Sequence, residues 1–195
     1  MSGNTRRWSL VALLVCTTAV ATAFAAADAT LVASCNRCHG QNGVSTAQSV
    51  PTIAGISQPV AVDALKAFKS KTRPCRETHG NMCDIASKLS DADITALAEH
   101  YSQLPYVHMR QPVDAAEAAA GKAIAQHQCE ICHTKGGTDP TDDAGLLGGQ
   151  PLGWLKGAIA DVKDGKMAQP KMMRAKTMNL SDSDVQALAE YYASL

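Results

Sequence analysis

Aromatic side chains are scarce in this chain: two Phe, two Trp and four Tyr in 195 residues, 4% in all. Charge of either sign is modest at 18%, and it balances, with 18 Lys+Arg against 18 Asp+Glu. That balance argues against a nucleic-acid binder, which needs a basic surface, and against a disordered charged tail. Long apolar runs are also missing after the N-terminus. Cysteine, in contrast, is plentiful, with seven residues at positions 16, 35, 38, 75, 83, 129 and 132. So many thiols suit an oxidising compartment better than the cytosol.

The N-terminus accounts for one of them. Arg6 and Arg7 precede an apolar run from Trp8 to Val20, and Ala23-Phe24-Ala25 or Ala25-Ala26-Ala27 supplies small residues at the cleavage positions. This pattern reads as a secretory signal peptide over residues 1–27 rather than a retained anchor, because the run is short and interrupted by Thr17, Thr18 and Thr22. Removing it takes away Cys16 and leaves 16 basic against 18 acidic residues. The mature chain is then exported to the periplasm and has no membrane span.

What remains is a tandem repeat. Cys35-Asn36-Arg37-Cys38-His39 recurs 94 residues on as Cys129-Glu130-Ile131-Cys132-His133. Ile53-Ala54-Gly55 recurs at the same offset as Leu147-Gly148-Gly149. Leu89-Ser90-Asp91 and Leu97-Ala98-Glu99 recur at an offset of 91, as Leu180-Ser181-Asp182 and Leu188-Ala189-Glu190. The first copy is thus three residues longer, in the stretch that holds Cys75 and Cys83. The repeat divides the chain into units 28–104 and 113–195, joined by a linker over 105–112. Each unit reads as helical. Ser90 and Ser181 are N-cap candidates with Asp93 and Asp184 three residues later. Ile94, Leu97, Ala98 and Tyr101, and Val185, Leu188, Ala189 and Tyr192, form the stripe of a helix buried on one face. Further helices are expected at 115–128, 60–69 and 154–163, with loops over 40–59 and 136–153.

Short helices with so few aromatics make a poor core by themselves, so another group must fill each unit. The paired C-x-x-C-H motifs say which. Two thiols one helical turn apart reach the two vinyl groups on one porphyrin edge, and the adjacent His turns under the iron, which is the attachment pattern of c-type haem. A zinc site would need further ligands and no His after each pair, and a thioredoxin-like site would need a βαβ setting. Cys35, Cys38, Cys129 and Cys132 are therefore read as the covalent anchors of two haem c groups, with His39 and His133 as axial ligands. A thioether suits the sixth position of an electron-transfer haem. The repeat nominates Met82 and Met173, each seven residues before its Leu-Ser-Asp motif; Met172 and Met178 are the competitors. No other histidine recurs in both halves. Cys75 and Cys83 belong to neither motif and are read as a possible disulfide, the alternative being that Cys83 is a haem ligand or reactive thiol.

On these residues the chain resembles the dihaem cytochromes of the cytochrome c4 group, most of all the cytochrome subunit of flavocytochrome c sulfide dehydrogenase. Cys38-His39-Gly40, Ile53-Ala54-Gly55, Leu89-Ser90-Asp91 and Gly148-Gly149-Gln150 carry the general likeness. Gln111-Pro112-Val113-Asp114, Gly136-Gly137 and Tyr192-Ala193-Ser194 carry the subunit flavour. Cys75, Cys83 and the Asp164-Gly165-Lys166 turn depart from that pattern. The resemblance implies an all-α fold of two class I cytochrome c domains related by a pseudo-two-fold, each wrapped around one haem. It also implies a relay that accepts electrons from an FAD-bearing flavoprotein subunit and passes them to a soluble cytochrome or an oxidase. Two alternatives stay open. One is a free cytochrome c4-like carrier feeding a terminal oxidase. The other is a dihaem enzyme, a peroxidase or a thiosulfate-oxidising cytochrome, although such enzymes need an open or unusual iron ligation and both repeats here offer Met.

Overall fold

The computed structural model describes residues 27–76 and 81–195, and the candidate signal segment 1–27 lies outside them but for its last residue. The described residues form helices joined by turns and loops. In the first unit these are α1 (Ala29–His39), α2 (Gln58–Lys69), α3 (Met82–Ala86) and α4 (Asp91–Ser102). In the second they are α5 (Ala115–Gln128), the single turn α6 (Thr134–Gly137), α7 (Leu152–Lys163), α8 (Lys171–Thr177) and α9 (Asp182–Ala193).

The caps follow the sequence signals. Asp28 and Asp114 accept from the first backbone amides of α1 and α5, so carboxylates close both helix starts. Ser90 and Asp93 form a reciprocal capping box at α4, and Ser181 and Asp184 repeat it at α9. The middle helices start two residues earlier than their apolar pattern shows. Pro59 in the first turn of α2 and Pro151 at the N-cap of α7 explain this, because a proline ring presets the helical φ where no amide donor is needed. The short helices α3 and α8 carry too few residues to show a period.

Two apolar clusters result. Leu89, Ile94, Leu97 and Tyr101 pack with Leu31, Val32, Cys35, Ile53 and Leu65 in the first unit. Ala125, Leu155, Ile159, Val185, Leu188 and Tyr192 pack with Ile124, Cys129 and Leu147 in the second. Crossing of α5 and α9 is close enough that a Cβ on Gly121 would sit 2.0 Å from the Ala187 carbonyl oxygen. A side chain there would push the two helices apart.

The loops repeat as faithfully as the helices. Ile53 and Ala54 amides donate to the Gly43 carbonyl, and Leu147 and Gly148 donate in the same way to Gly137. Gly55 donates to Tyr101 at 2.8 Å and Gly149 to Tyr192 at 2.7 Å, which ties each loop to its last helix. The linker is laid along the second unit: Tyr106 donates to the Gly148 carbonyl at 2.6 Å and the Met109 amide to Gly149 at 2.8 Å.

A polar seam joins the units. The buried Gln150 amide group bonds the Thr52 backbone in both directions, Nε2 donating to the carbonyl and Oε1 accepting from the amide, each at 2.9 Å. Gln48 and Gln111 extend it, with the Trp154 amide donating to the Gln48 carbonyl at 2.7 Å. Arg76 pairs with Asp161 across the same boundary, in space that Gly157 leaves by having no Cβ. Replacing Gln150 by Leu keeps the volume but strands two buried backbone groups of Thr52. The expected cost is about 2–5 kcal/mol in denaturant unfolding. A loss below about 0.5 kcal/mol would show that the seam does not hold the units together.

Candidate functional site

In the first unit α1 runs through the whole Cys35–His39 motif, so both thiols and the imidazole leave one continuous turn of helix. Cys35, Cys38, His39 and Met82 all line one cavity of about 240 Å³, together with Ile56, Ala61, Leu65, Phe68, Ile85 and Leu97. The structure thus brings together the four residues that the sequence nominates in this unit. The cavity does not belong to the first unit alone. Leu146, Trp154, Ala158 and Met167 complete its wall from the second.

His39 is buried, and its Nδ1 lies 2.8 Å from the Pro51 carbonyl oxygen. A carbonyl only accepts, so Nδ1 carries the proton and donates, and the neutral ring presents a bare Nε2. Burial pushes the His39 pKa down, which keeps the ring neutral, while the Pro51 bond pulls the other way. This is the tautomer that a metal ligand requires, held by an outer hydrogen bond.

His133 repeats the arrangement 94 residues on, its Nδ1 donating to the Gly145 carbonyl at 3.1 Å, with burial again lowering its pKa first. The backbone around it differs. Here α5 stops at Gln128 and the motif continues as turns, with the His133 amide still donating to the Cys129 carbonyl at 3.0 Å, one helical turn back. Cys129 is half-buried, Cys132 exposed, and Met173 half-buried on α8, which packs against α7. Met172 and Met178, the competitors, are both exposed.

A tyrosine stands beside the first cysteine of each motif. Burial first, then the neighbouring Cys35 thiol, pushes the Tyr101 hydroxyl pKa up; burial and Cys129 do the same to Tyr192. Tyr101 also donates to Asn36 Oδ1 at 2.9 Å, which pins α4 to the motif helix.

The donor set of the first cavity fits a haem. Its walls are largely apolar, and it receives two thiols and a bare imidazole nitrogen from α1, a thioether from α3 and a half-buried cation. Arg73 lies over the Phe68 ring at 4.9 Å, and burial, then Arg76, lowers its pKa while Asp161 opposes them. A half-buried guanidinium stays charged and calls for an anion, which the carboxylates of a haem would supply. Sequence reasoning did not find Pro51, Gly145, Arg73 or Arg76. The shared offset of residues 51 and 145 was the available signal for the first two, but backbone acceptors leave no residue type to recognise.

Cys75 and Cys83 are joined in a disulfide with Cα atoms 5.6 Å apart, and Cys83 is buried beside the Met82 end of α3. It closes a ring spanning a separation of eight residues.

Comparisons with known proteins point one way. Residues 116–191 match the family described as cytochrome C oxidase, cbb3-type, subunit III. Cytochrome c4 of Azotobacter vinelandii is 30% identical over 206 residues, covering 96% of this chain and 98% of its own length. The thiosulfate dehydrogenase electron acceptor of Thiomonas intermedia is 29% identical over 174 residues, covering 83% of this chain and 78% of that protein. The solved structure of cytochrome c4 from Acidithiobacillus ferrooxidans superposes with a TM-score of 0.71 at 26% identity, over 84% of this chain and 99% of that one.

Titration of the denatured, unreduced mature protein with a thiol reagent is expected to find no free thiol. The Cys75→Ser/Cys83→Ser protein should lose about 2–3 kcal/mol of stability, from the loop entropy returned to the unfolded chain. Two reactive thiols would contradict the pairing.

Proposed function

We propose, from the premise that the chain belongs to the cytochrome c4 family of dihaem electron-transfer proteins, that it carries electrons in the periplasm from a dehydrogenase of reduced sulfur compounds to a one-electron acceptor. Each bound haem supplies one reversible Fe(III)/Fe(II) couple. The chain's own residues tether, orient and shield it. Cys35 and Cys38, and Cys129 and Cys132, would form the thioethers. His39 and His133 would offer Nε2 to the iron, and Met82 and Met173 would supply a thioether each. Arg73, which lines the first cavity, would hold haem carboxylates there while Arg76 stays paired with Asp161, and the apolar walls would keep water from the iron, favouring the less charged reduced form.

The proposed domains are 28–104 and 113–195 with the linker 105–112, after a signal peptide over 1–27. No described helix is long and apolar enough to cross a membrane. The single observation that carries the reading is the repeated site: two Cys–His motifs with the same imidazole-to-carbonyl bond 94 residues apart. Two couples in one chain match a two-electron donor to one-electron acceptors.

The donor has two readings. The second-half motifs favour the flavoprotein of a sulfide dehydrogenase. The Thiomonas intermedia relative, named an electron acceptor of thiosulfate dehydrogenase, favours that enzyme instead. Capture of partners from a periplasmic extract by the immobilised holoprotein decides. Recovery of a flavoprotein, with sulfide-dependent haem reduction, supports the first reading. Recovery of a thiosulfate dehydrogenase, with thiosulfate-dependent reduction, supports the second. Reduction by dithionite but by neither sulfur system, with only oxidase subunits captured, would overturn both in favour of a general respiratory carrier.

A further inference from the structure

The methionine segments of the two units follow the same turn and are then held in different ways. The Thr72 amide donates to the Ala67 carbonyl and the Lys166 amide to the Asp161 carbonyl, each at 2.9 Å, so both middle helices close with one repeated turn. In the second unit a clasp of hydrogen bonds comes next. Gln169 Nε2 donates to the Val162 carbonyl at 2.8 Å, and Arg174, beside Met173, donates to the Lys163 carbonyl at 2.7 Å. Thr177 ties the far end of α8 to Gln169 at 3.2 Å. The guanidinium has room because Gly165 lacks a Cβ, which would lie 3.2 Å from it.

The first unit has none of these three side chains at the matching places. The 94-residue offset puts Cys75 where Gln169 stands, and Lys71 where Gly165 stands. The 91-residue offset puts Cys83 where Arg174 stands, and Ala86 where Thr177 stands. The disulfide therefore occupies both ends of the clasp. Cys83 is buried next to Met82 in the first turn of α3, which packs on α2. A helix of five residues is too short to hold itself by its own backbone bonds. The bond at Cys83 thus fixes its neighbour Met82 against the cavity that Met82 lines.

We propose that Cys75 and Cys83 are positioning residues for the first haem: their disulfide is a reducible clasp on Met82, and a dithiol that cleaves it frees the sixth position of that haem alone. The proposal rests on Met82 and Met173 as sixth ligands and adds that bonds of different chemistry hold them. In the cleavage a thiolate of the dithiol attacks Cys75 Sγ, the less buried sulfur, and the sulfur–sulfur bond breaks, Cys83 leaving and taking a proton. The second thiol of the dithiol then displaces Cys75, which is protonated in turn, and the dithiol ends as a cyclic disulfide. Two electrons and two protons pass to the cysteines. Gln169 and Arg174 contain no sulfur, so the second clasp is left as it was.

The test uses the mature holoprotein with both irons held ferrous by ascorbate, and carbon monoxide as the probe, since it binds a ferrous haem only where the sixth position opens. Untreated protein should bind almost none. Dithiothreitol, with the two released thiols counted by alkylation, should open half of the haem, read from the Soret band. Removing the reductant and reoxidising with diamide should close it again, whereas N-ethylmaleimide should keep it open. Cys75→Ser/Cys83→Ser should be half open without any reductant and indifferent to dithiothreitol. Release of both thiols with no gain in carbon monoxide binding would overturn the proposal. So would opening of both haems together, which would mean loss of the fold rather than release of Met82. Untreated protein already half open, with the near-infrared thioether band of one iron missing, would instead remove Met82 as a ligand, and the clasp with it.

Discussion

A carbonyl oxygen can accept a hydrogen bond but never donate one, and both haem sites depend on that constraint. His39 against Pro51 and His133 against Gly145 each have one ring nitrogen committed as donor, so the other is bare and aimed away from the loop. Burial holds both rings neutral. The loop that supplies each carbonyl is itself fixed by paired amide bonds to Gly43 or Gly137 and by one bond to the last helix of the unit. A chain of backbone contacts thus runs from the terminal helix through the loop to the imidazole. Disturbing any part of it would rotate the ring.

The two copies are equivalent in that chain and unequal elsewhere. The first unit has an apolar cavity, two half-buried arginines and a disulfide next to Met82, and it borrows part of its wall from the second. The second presents an exposed motif and a basic helix. The polar seam through Gln150, Gln48 and Gln111 keeps the units in register. One site is therefore sheltered and linked to its neighbour, while the other faces the surroundings. That division suits a relay with one outward contact and one internal transfer.

Much of this was legible in the sequence, because short-range patterns carry it. The cysteine and histidine spacing states the cofactor, the 94- and 91-residue offsets state the duplication, and Ala115–Gln128 is the helix that its composition describes. The rest had no local signal. Gln150 meets Thr52 across 98 residues, and Arg76 meets Asp161 across 85. Helices α3 and α8, five and seven residues long, show no period, yet they carry the two methionines. Pro51 and Gly145 do one job with different side chains, since only the backbone oxygen is used.

The duplication is also what nominates Met82 and Met173, so the account stands most directly on the sixth ligand of each iron. The measurement is the near-infrared charge-transfer band of Fe(III)–thioether ligation in the oxidised protein, recorded by magnetic circular dichroism with visible spectra as the control for haem content. The account predicts a band from both irons, with half the intensity lost in Met82→Ala and half in Met173→Ala. A band that survives Met173→Ala and is halved by Met172→Ala, or a spectrum of bis-histidine or open iron, would contradict it.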